Sequence, residues 1–502
     1  MRMRGAVKAY PGSVGNSRRV NLPMQFNLMG RLLMIESLCM LVPLGLCIYL
    51  RESDLWAFVI TIALTFAAGF SLKRFIKPES ENLGRKDGCL ITCITWVLFS
   101  IFGMLPFIIG SPHLNLSEGF FEAMSGFTTT GATVIRDVES CGRGILLWRA
   151  MTQWIGGLGI VLFTLTVIPS LNNSKGLFMF HAEVSGITHD KIGAQISNTA
   201  KILWMVYSII TLVLIGLLCL GPMTLFESVC HAMTTISTGG YSTRNASIAA
   251  FNSGYTKTVL TAFMFIGGVN FSLVYMAVRG HFKALLRNDV VRAFVFLIML
   301  NYIFTLMSIL ASGNYGGWQT LTIDPLFHIV SAMTSTGLGA GNFEAWGEIA
   351  LVLTIFMMFF GACAGSTTGG AKIDRLLYMW KNCKIELKRV FSPRLMKAVR
   401  VNNQVVTPER TNEIFAFMAI YTALIVLGGV LLSAMDFPIV DAFFSSISCV
   451  SNNGLGAGIT GVTGSYDFLP AIGKWVMSFL MLAGRLEIFA LLALLAPSFW
   501  RK

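Results

Sequence analysis

The chain has 502 residues, of which 54% are apolar and 13% are charged, and its mean hydropathy is +0.68. Soluble domains carry roughly 25% charged residues, so these values exclude a soluble fold that solvates its own surface. Apolar runs of about 20 residues, long enough to cross a bilayer as helices, recur throughout the sequence, and they predict an all-α polytopic membrane protein.

The formal net charge of +13 is concentrated in a few polar segments. Basic residues crowd positions 2–19, 73–86, 279–292 and 372–400. By the positive-inside rule these segments are cytoplasmic, which places the N-terminus inside. No nucleic-acid recognition module accompanies the basic residues, so the expected partner is the lipid bilayer and not a nucleic acid.

Two apolar helices open the chain, at about residues 28–50 and 55–75. The polar and basic segment 1–27 before them lacks the small-residue cleavage pattern of a signal peptide. We therefore expect a cytoplasmic N-terminal segment followed by a transmembrane helix pair, residues 28–77.

From there, one order of elements occurs four times: an apolar helix, a short amphipathic segment, a polar phrase ending in glycine, and a second apolar helix. The four units cover residues 86–175, 195–285, 289–400 and 411–502. Their first helices are expected at residues 89–110, 200–220, 293–311 and 414–434. Their second helices are expected at residues 145–169, 256–279, 348–380 and 472–495. Together with the N-terminal pair, the units predict about 10 spanning helices.

The short amphipathic segments cannot span a bilayer and predict four re-entrant helices. They cover residues 116–128, 223–236, 325–333 and 437–449. Backbone that leaves the helical form at membrane depth is tolerated only inside protein or beside water. Each polar phrase is therefore expected to line a pore, around which the four M1–P-loop–M2 repeats are arranged with pseudo-fourfold symmetry.

The glycines of the polar phrases, at positions 131, 239, 337 and 454, are separated by 108, 98 and 117 residues. A re-entrant helix aims its C-terminal carbonyls at the axis, which favours a cation there. The extended residues that follow can replace the ion's hydration shell with backbone carbonyls, and glycine permits the backbone angles required. The predicted cation filter comprises Thr129, Thr130, Gly131, Ser237, Thr238, Gly239, Ser335, Thr336, Gly337, Asn452, Asn453 and Gly454. The side chains expected to anchor its turns are those of Thr130, Thr238, Thr336 and Asn453.

Other interpretations of the same residues find less support. A single Thr-Gly or Asn-Gly pair is an ordinary turn signal. The runs 337–341 and 454–458 are rich in glycine, but neither a preceding strand nor a ribose-binding acid accompanies them, so no organic cofactor is expected. The six histidines show no catalytic spacing, and we do not expect an enzyme. Five acidic residues lie near the starts of the short helices: Glu118, Glu122, Glu227, Asp324 and Asp441. They could cap these helices, or they could attract cations to the outer mouth of the pore.

Each second helix is interrupted by small residues, at positions 156–157, 267–268, 361–370 and 483–484. The first two interruptions fit close helix packing. The third has ten consecutive small residues, including four glycines that each cost about 1 kcal/mol in a helix, so it cannot be a stable helix interior. In the fourth helix, Arg485 places a charge in an apolar run at a cost of about 2.5 to 3.5 kcal/mol. That residue predicts either a pore-facing cation or an ion pair with another buried acid.

The four phrases, the M1–P–M2 units and the two extra N-terminal helices resemble the TrkH-type subunit of the Trk/Ktr/HKT superfamily of potassium transporters, from about residue 25 onward. The N-terminal pair favours the Trk type over the shorter Ktr type. The family carries one filter glycine in each repeat, and a serine at the first of them is associated with sodium preference in related plant transporters. With glycine in all four phrases, the resemblance implies potassium as the transported ion. It places K⁺ at Thr130, Gly131, Thr238, Gly239, Thr336, Gly337, Asn453 and Gly454.

The fourth phrase departs from the others. Asn452 and Asn453 replace the Ser/Thr residues of the other three phrases, so the filter is not expected to be fourfold symmetric.

The resemblance also implies a gate, in which a loop of the third repeat and an arginine of the fourth obstruct the pore. The corresponding residues are Gly361, Gly365, Ser366, Thr367, Thr368, Gly369, Gly370 and Arg485. It further implies a homodimer in the bacterial plasma (inner) membrane that docks a cytosolic nucleotide-binding regulatory subunit of the TrkA type, with residues 372–400 as part of that contact.

Two alternatives stay open: an H⁺- or Na⁺-coupled potassium symporter, and a Na⁺/K⁺-permeable cation transporter. Secondary transporters usually contain inverted repeats, whereas these four units share one orientation.

Overall fold

The structure is a computed structural model of a mainly helical chain. It describes residues 20–76, 84–159, 196–313, 317–394, 397–402, 404–461 and 463–500. The predicted cytoplasmic segment up to residue 19 and the predicted end of the first repeat's second helix, residues 160–169, lie outside this range.

The N-terminal helices are α1 (Leu22–Cys39), α2 (Leu41–Leu50) and α3 (Leu55–Phe75). The first begins earlier than the predicted residue 28, because the Asn21 side chain caps it by accepting a hydrogen bond from the Met24 N–H. Helices α1 and α3 touch through glycine. A Cβ at Gly30 would lie 2.6 Å from the Gly69 carbonyl oxygen, so the backbones approach closely, as small residues allow in membranes.

The first helices of the four units are long and apolar. They are α4 (Arg85–Gly103), continued by α5 (Leu105–Ile109), then α8 (Ile196–Cys219), α13 (Asp289–Ser312) and α17 (Pro408–Ser433). Large apolar side chains on α8 and α13 are exposed on the outside of the fold, a surface that suits the hydrocarbon core of a bilayer.

The four short helices lie close to their predicted positions. They are α6 (Leu116–Phe127), α9 (Leu225–Ile236), α14 (Asp324–Met333) and α18 (Ile439–Val450). A helix of this length extends about 18 Å, against the roughly 30 Å of a hydrocarbon core. Capping boxes begin two of them, formed by Asn115 with Glu118 and by Thr224 with Glu227. The residues directly after each short helix are buried, so the chain turns inside the protein.

The second helices of the second, third and fourth units are interrupted at or next to their runs of small residues, as predicted. The second helices of the four units are α7 (Arg143–Gly157), α10 (Gly254–Gly268) with α11 (Phe271–Val278), α15 (Glu348–Phe360) with α16 (Ile373–Phe391), and α19 (Ala471–Arg485) with α20 (Phe489–Leu495). The second unit bends by 110° and the fourth by 117° at the break. In the second unit, Asn270 caps a new helix with its side chain. In the fourth, Glu487 and Ile488 adopt positive φ angles of 50° and 62°, which no helix accommodates.

Within the described residues, six helices are long and apolar enough to cross a membrane, or up to eight if each bent pair counts as one span. The predicted total of about 10 spans, and the boundaries of the four units, stay predictions. The remaining elements are small: α12 (Phe282–Arg287), an antiparallel pair β1 (Arg400–Val401) and β2 (Gln404–Val405), and α21 (Pro497–Trp500).

Candidate ion pathway

The chain makes the same turn after each short helix. One residue past the helix cap, the backbone enters the left-handed region, with φ between 51° and 55°, at Thr129, Thr238, Ser335 and Asn452. The next residue donates its N–H back to the short helix at 2.8–2.9 Å, as Thr130, Gly239, Thr336 and Asn453 do. The following residue is a glycine with φ between 75° and 87°, at positions 131, 240, 337 and 454. Only glycine adopts this second positive φ without strain.

This geometry corrects the sequence alignment of the second phrase by one residue. Gly240, and not Gly239, occupies the place of Gly131, since Gly240 has the positive φ of 82°. Gly239 instead takes the place of Thr130, and Thr238 takes the place of Thr129. The alignment of Gly239 with the other filter glycines, and of Thr238 with Thr130, was therefore wrong. A Ser-Thr-Gly-Gly sequence offers two candidate glycines, and the phrase alone does not distinguish them.

The four turns touch one another in a closed cycle. A Cβ added at Gly131 would overlap the carbonyl oxygen of Gly239 in the next unit. The same overlap occurs from Gly240 to Thr336, from Gly337 to Asn453, and from Gly454 back to Thr130. The order runs through units one, two, three and four and returns to the first. Four backbone segments therefore surround one axis, with a carbonyl of each against the glycine of its neighbour.

The carbonyl oxygens of this cycle are mostly without hydrogen-bond donors. In the part of the chain that the structure describes, no protein group donates to the carbonyl oxygen of Thr130, Thr336 or Asn453. Gly239 is the exception, because the Gln153 Nε2 amide donates to its oxygen at 2.7 Å. Buried carbonyls without donors carry a desolvation cost, and a bound cation could remove it by taking the place of the missing donors.

Side chains of the polar phrases form hydrogen bonds that hold the turns in place. Thr130 and Thr336 pair their hydroxyls with those of Thr128 at 2.8 Å and Thr334 at 2.7 Å. The Asn453 amide donates to the Ala332 carbonyl at 2.6 Å. The predicted anchoring role is thus met by these three side chains, whereas Thr238 points its hydroxyl to the Ser237 carbonyl at 2.7 Å and to the predicted gating loop.

The asparagines of the fourth phrase make contacts that the other phrases lack. The Asn452 amide donates to the Thr130 hydroxyl at 3.1 Å and to the Met481 carbonyl at 2.8 Å. It therefore links the fourth turn to the first. The expectation of an asymmetric filter agrees with this bond.

The acids near the starts of the short helices have partners inside the protein. Glu118 bonds to Lys474 at 2.9 Å, Glu227 to Arg244 at 2.7 Å and Asp324 to Lys257 at 2.6 Å. Asp441 accepts the Ile459 N–H at 3.2 Å. Together with the capping boxes, these contacts favour the structural explanation of the acids over an attracting mouth.

Glu122 forms a buried ion pair that the sequence analysis did not identify. The Arg149 guanidinium donates from Nε to Glu122 at 2.8 Å and lies 3.9 Å over the Tyr241 ring. Glu122 also accepts the Val134 N–H and the Thr133 hydroxyl, both at 3.0 Å. This pair therefore braces the residues after the first and second turns. Arg149 lies within an apolar helix, and the rule applied to Arg485 would have found it.

The outer loops of the first two units are bound to each other above the turns. The Asn245 amide donates to Asp137 at 2.8 Å, and Val138 donates its N–H to the Asn245 side chain at 2.8 Å. The hydrogen bond from Asn245 lowers the pKa of Asp137. The Asp137 carboxylate is therefore ionised at neutral pH and keeps the loops joined.

The third unit places its run of small residues, 361–370, directly beneath the turns. The two ends of the loop meet, because Lys372 donates its N–H to the Phe360 carbonyl at 2.7 Å and Ile373 donates to Ala362 at 2.9 Å. Gly361 and Gly370 stand at this closure with φ of 69° and 80°. The loop therefore leaves the helix, extends inward and returns to the same point.

Contacts to the second and fourth units hold this loop in place. The Thr367 hydroxyl donates to the Ile236 carbonyl at 3.1 Å and to the Gly267 carbonyl at 3.2 Å. Gly369 lies so close to the Ser451 carbonyl that a Cβ would overlap it. On the other side, Gly365 accepts the Phe271 N–H at 3.1 Å at the break of the second unit.

The other loop residues bond among themselves. The Ser366 hydroxyl donates to the Cys363 carbonyl at 2.6 Å and pairs with the Thr368 hydroxyl at 2.8 Å, while the Lys372 ammonium donates to the Thr368 carbonyl. All the predicted loop residues thus lie in one inward excursion below the filter turns.

Arg485 ends α19 and reaches the same place from the fourth unit. Its guanidinium donates to the Thr367 carbonyl at 2.8 Å, to the Thr129 hydroxyl at 3.2 Å and to the carbonyls of Gly156 and Gly157. The last two carbonyls end α7, so the cation sits at the negative end of a helix dipole. The predicted juxtaposition of the loop and Arg485 is therefore observed. No motif in the sequence indicates that Gly156 and Gly157 supply the acceptors.

Beside Arg485, a second cation ties the break of the fourth unit to the third. Arg375 on α16 forms an ion pair with Glu487, lies 3.9 Å over the Phe417 ring and donates to the Ala371 carbonyl at 3.0 Å. The loop and the bend after Arg485 are thus joined through one side chain.

Comparison with known proteins gives a consistent result over most of the chain. A family model described as "TrkH: Cation transport protein" matches residues 55–502. The Trk system potassium uptake protein TrkG of Escherichia coli (strain K12) is 33% identical over 476 residues, which is 94% of this chain and 97% of that protein. TrkH of the same organism is 32% identical over 480 residues, or 95% and 98% of the two chains. The crystal structure of the potassium transporter TrkH from Vibrio parahaemolyticus superposes with a TM-score of 0.87 at 30% identity, covering 96% of this chain and 100% of that one.

Proposed function

Since the chain belongs to the TrkH family of cation transport proteins, we propose that it takes up potassium across a bacterial plasma membrane through a filter of backbone carbonyls. The relatives at about 32% identity are named as potassium uptake proteins. The observation that carries the proposal is the closed cycle of four turns, in which four buried carbonyl oxygens stand against four glycines, and three of these oxygens have no donor among the described residues.

The proposed ligands of K⁺ are the backbone oxygens of the two residues that close each turn. A dehydrated cation needs several oxygens to replace its hydration shell, and four converging turns supply them in layers. The C-terminal ends of the four short helices point their negative dipole ends at the same region. The ligand residues are Thr130, Gly131, Gly239, Gly240, Thr336, Gly337, Asn453 and Gly454, with Gly240 in place of Thr238.

The proposed gate is the loop 361–370 together with Arg485. In the arrangement described above, Thr367 and Arg485 bond to each other and to the underside of the filter turns. A fixed positive charge there opposes a passing K⁺, and the loop occupies the space through which the ion would leave. Opening therefore requires that Thr367 give up its bonds to Ile236 and Gly267.

The proposed surroundings follow the sequence expectations. The protein resides in the bacterial inner membrane with its N-terminus in the cytoplasm, assembles as a homodimer, and is regulated by a cytosolic nucleotide-binding subunit of the TrkA type. Support for a cytoplasmic docking surface comes from α16, which directly follows the gating loop and exposes basic side chains such as Lys384 and Lys388. Its ion pair through Arg375 to Glu487 offers a path from that surface to the gate.

Reconstitution in proteoliposomes tests this function. The purified protein should carry K⁺ down its gradient with a reversal potential set by K⁺ alone, whereas H⁺- or Na⁺-coupled symport would shift the reversal potential with those gradients. Gly131→Ser should reduce the K⁺ to Na⁺ flux ratio, because a side chain at this position overlaps the Gly239 carbonyl. Equal ratios in wild type and Gly131→Ser would contradict the filter assignment. Equal K⁺ and Na⁺ flux in the wild type would favour a non-selective cation transporter.

A further inference from the structure

Gln153 on α7 is a fully buried amide at the junction between the first and second turns. Its Nε2 donates to the Gly239 carbonyl at 2.7 Å, and its Oε1 accepts the Tyr241 N–H at 3.1 Å. Both ends of the side chain are thus bonded to the second phrase, two residues apart. The Gln153 amide thus bonds to one backbone C=O and one backbone N–H of this stretch, as the backbone of a neighbouring β-strand would.

The position equivalent to Gln153 is apolar in the second and fourth units. The second helices correspond through the glycines that pack beneath the short helices, where Gly156 lies against the Phe127 carbonyl and Gly484 against the Val450 carbonyl. Gly267 has the same place beneath Ile236 in the second unit. The residues three positions earlier are Gln153, Met264 and Met481, all buried. The first unit therefore has an amide where two other units bury a thioether.

The residue that Gln153 contacts, Gly239, also differs from its equivalents in the other units. Gly239 stands where the other turns have Thr130, Thr336 and Asn453, and its own φ is not positive. Backbone conformation therefore does not require a glycine there. A Cβ at Gly239 would overlap the Gln153 side-chain amide, so the missing side chain makes room for Gln153. The two departures from fourfold symmetry are complementary.

The contact with Gln153 affects one oxygen of the proposed filter, the Gly239 carbonyl oxygen. The Gly239 carbonyl shares its electron density with the Gln153 N–H, whereas no protein group in the described structure donates to the corresponding oxygens of Thr130, Thr336 and Asn453. A tethered carbonyl cannot move inward as freely as an untethered one. Na⁺ is smaller than K⁺ and requires the ring of oxygens to contract around it, so a tether on one quarter of the ring resists Na⁺ more than K⁺.

We propose that Gln153 is a positioning residue that holds the Gly239 carbonyl at the spacing suited to K⁺ and thereby raises discrimination against Na⁺. This inference rests on the proposed function, and it adds to it a residue outside the filter phrases. Gln153 acts through Gly239 and not on the ion itself.

The test uses the full-length protein in proteoliposomes, with K⁺ and Na⁺ fluxes measured separately at matched protein abundance. Gln153→Met installs the residue of the other units and should lower the K⁺ to Na⁺ flux ratio by about fivefold, the factor expected for losing one buried hydrogen bond. Gly239→Thr should lower the ratio as well, because the new side chain displaces Gln153. The double variant recreates the Met-with-Thr combination of the neighbouring units and should recover part of the ratio, a non-additivity expected of residues in contact.

Met264→Leu is the matched control, since it is a volume-conserving change at the equivalent position of the second unit, and it should leave the ratio unchanged. A wild-type ratio in Gln153→Met, at normal abundance, would overturn the inference and leave the proposed function intact. Absence of K⁺ over Na⁺ discrimination in the wild type would overturn both. If Gln153→Met fails to accumulate in the membrane, Gln153→Asn, which keeps the amide but shortens its reach, should show the same lowered ratio, and an unchanged ratio there would also refute the tether.

Discussion

Removing the charge of Arg485 is the most informative perturbation of the gate. The guanidinium Nη1 lies 3.2 Å from the Thr129 hydroxyl, so an ion at this turn would be about 6 Å from the positive charge. Two unit charges at that separation repel by about 3 kcal/mol at an effective dielectric constant of about 20. Each 1.4 kcal/mol corresponds to about a tenfold change in an equilibrium constant, so the charge lowers ion occupancy below the filter roughly a hundredfold.

Arg485→Ala should therefore raise the K⁺ leak strongly, up to about a hundredfold if occupancy below the filter limits the flux. The assay is K⁺ efflux from proteoliposomes that contain this protein alone, normalised to the amount incorporated. Arg485→Lys separates two causes. It keeps the charge but has fewer donors for Thr367, Gly156 and Gly157, so its leak should lie well below that of the alanine variant.

Two outcomes would refute this reasoning. Equal leak in wild type and Arg485→Ala would show that the charge is no barrier. Equal leak in the lysine and alanine variants would show that hydrogen bonding to the loop, and not charge, closes the pathway. Arg389→Ala serves as the control, because its side chain on α16 is half-exposed and its bonds among the described residues go to nearby positions, Glu386 and the Lys397 carbonyl.

Two further predictions concern the filter and its brace. Gly240→Ala should abolish selective K⁺ flux, because a left-handed φ of 82° costs a non-glycine residue about 1–2 kcal/mol and the new Cβ would overlap the Thr336 carbonyl; flux ratios in proteoliposomes measure this. Glu122→Gln should lower the free energy of unfolding by about 3–5 kcal/mol, because it leaves the buried Arg149 charge uncompensated; thermal unfolding in detergent measures this.

Matched controls exist for both changes. Gly341→Ala should have no effect, since a Cβ there meets nothing within 4 Å and its φ is not positive; a loss of flux equal to that of Gly240→Ala would contradict the register found in the second turn. Glu118→Gln breaks an ion pair whose carboxylate is 20% exposed and whose partner Lys474 keeps its bond to the Asp467 carbonyl, so it should destabilise the protein less than Glu122→Gln. Equal destabilisation by the two glutamine variants would contradict a special role for the Arg149 pair.

The elements that the sequence predicted well are those with local causes. Helix α3 begins and ends at the predicted residues, and the short helices α6 and α9 lie within two residues of their predicted bounds. Apolar length, a capping residue and a glycine after the cap are all properties of neighbouring positions. The small-residue loop of the third unit was predictable for the same reason, because no packing can make ten such residues a stable helix.

The sequence by itself determined the order of helices, the positions of the four polar phrases, and the presence of a loop and an arginine in the membrane. Only the tertiary structure decided the register of the second phrase, the partners of Arg485 and the place of Gln153. Each of these depends on contacts between residues that lie far apart along the chain, from 86 positions for Gln153 and Gly239 to 356 positions for Arg485 and Thr129. Glycine is needed at position 240 because of its positive φ and the nearby Thr336 carbonyl, and at position 239 because the Gln153 side chain of another unit leaves no room for a Cβ. How closely two distant backbone segments approach depends on how the helices pack. A repeat in the local sequence does not specify that packing.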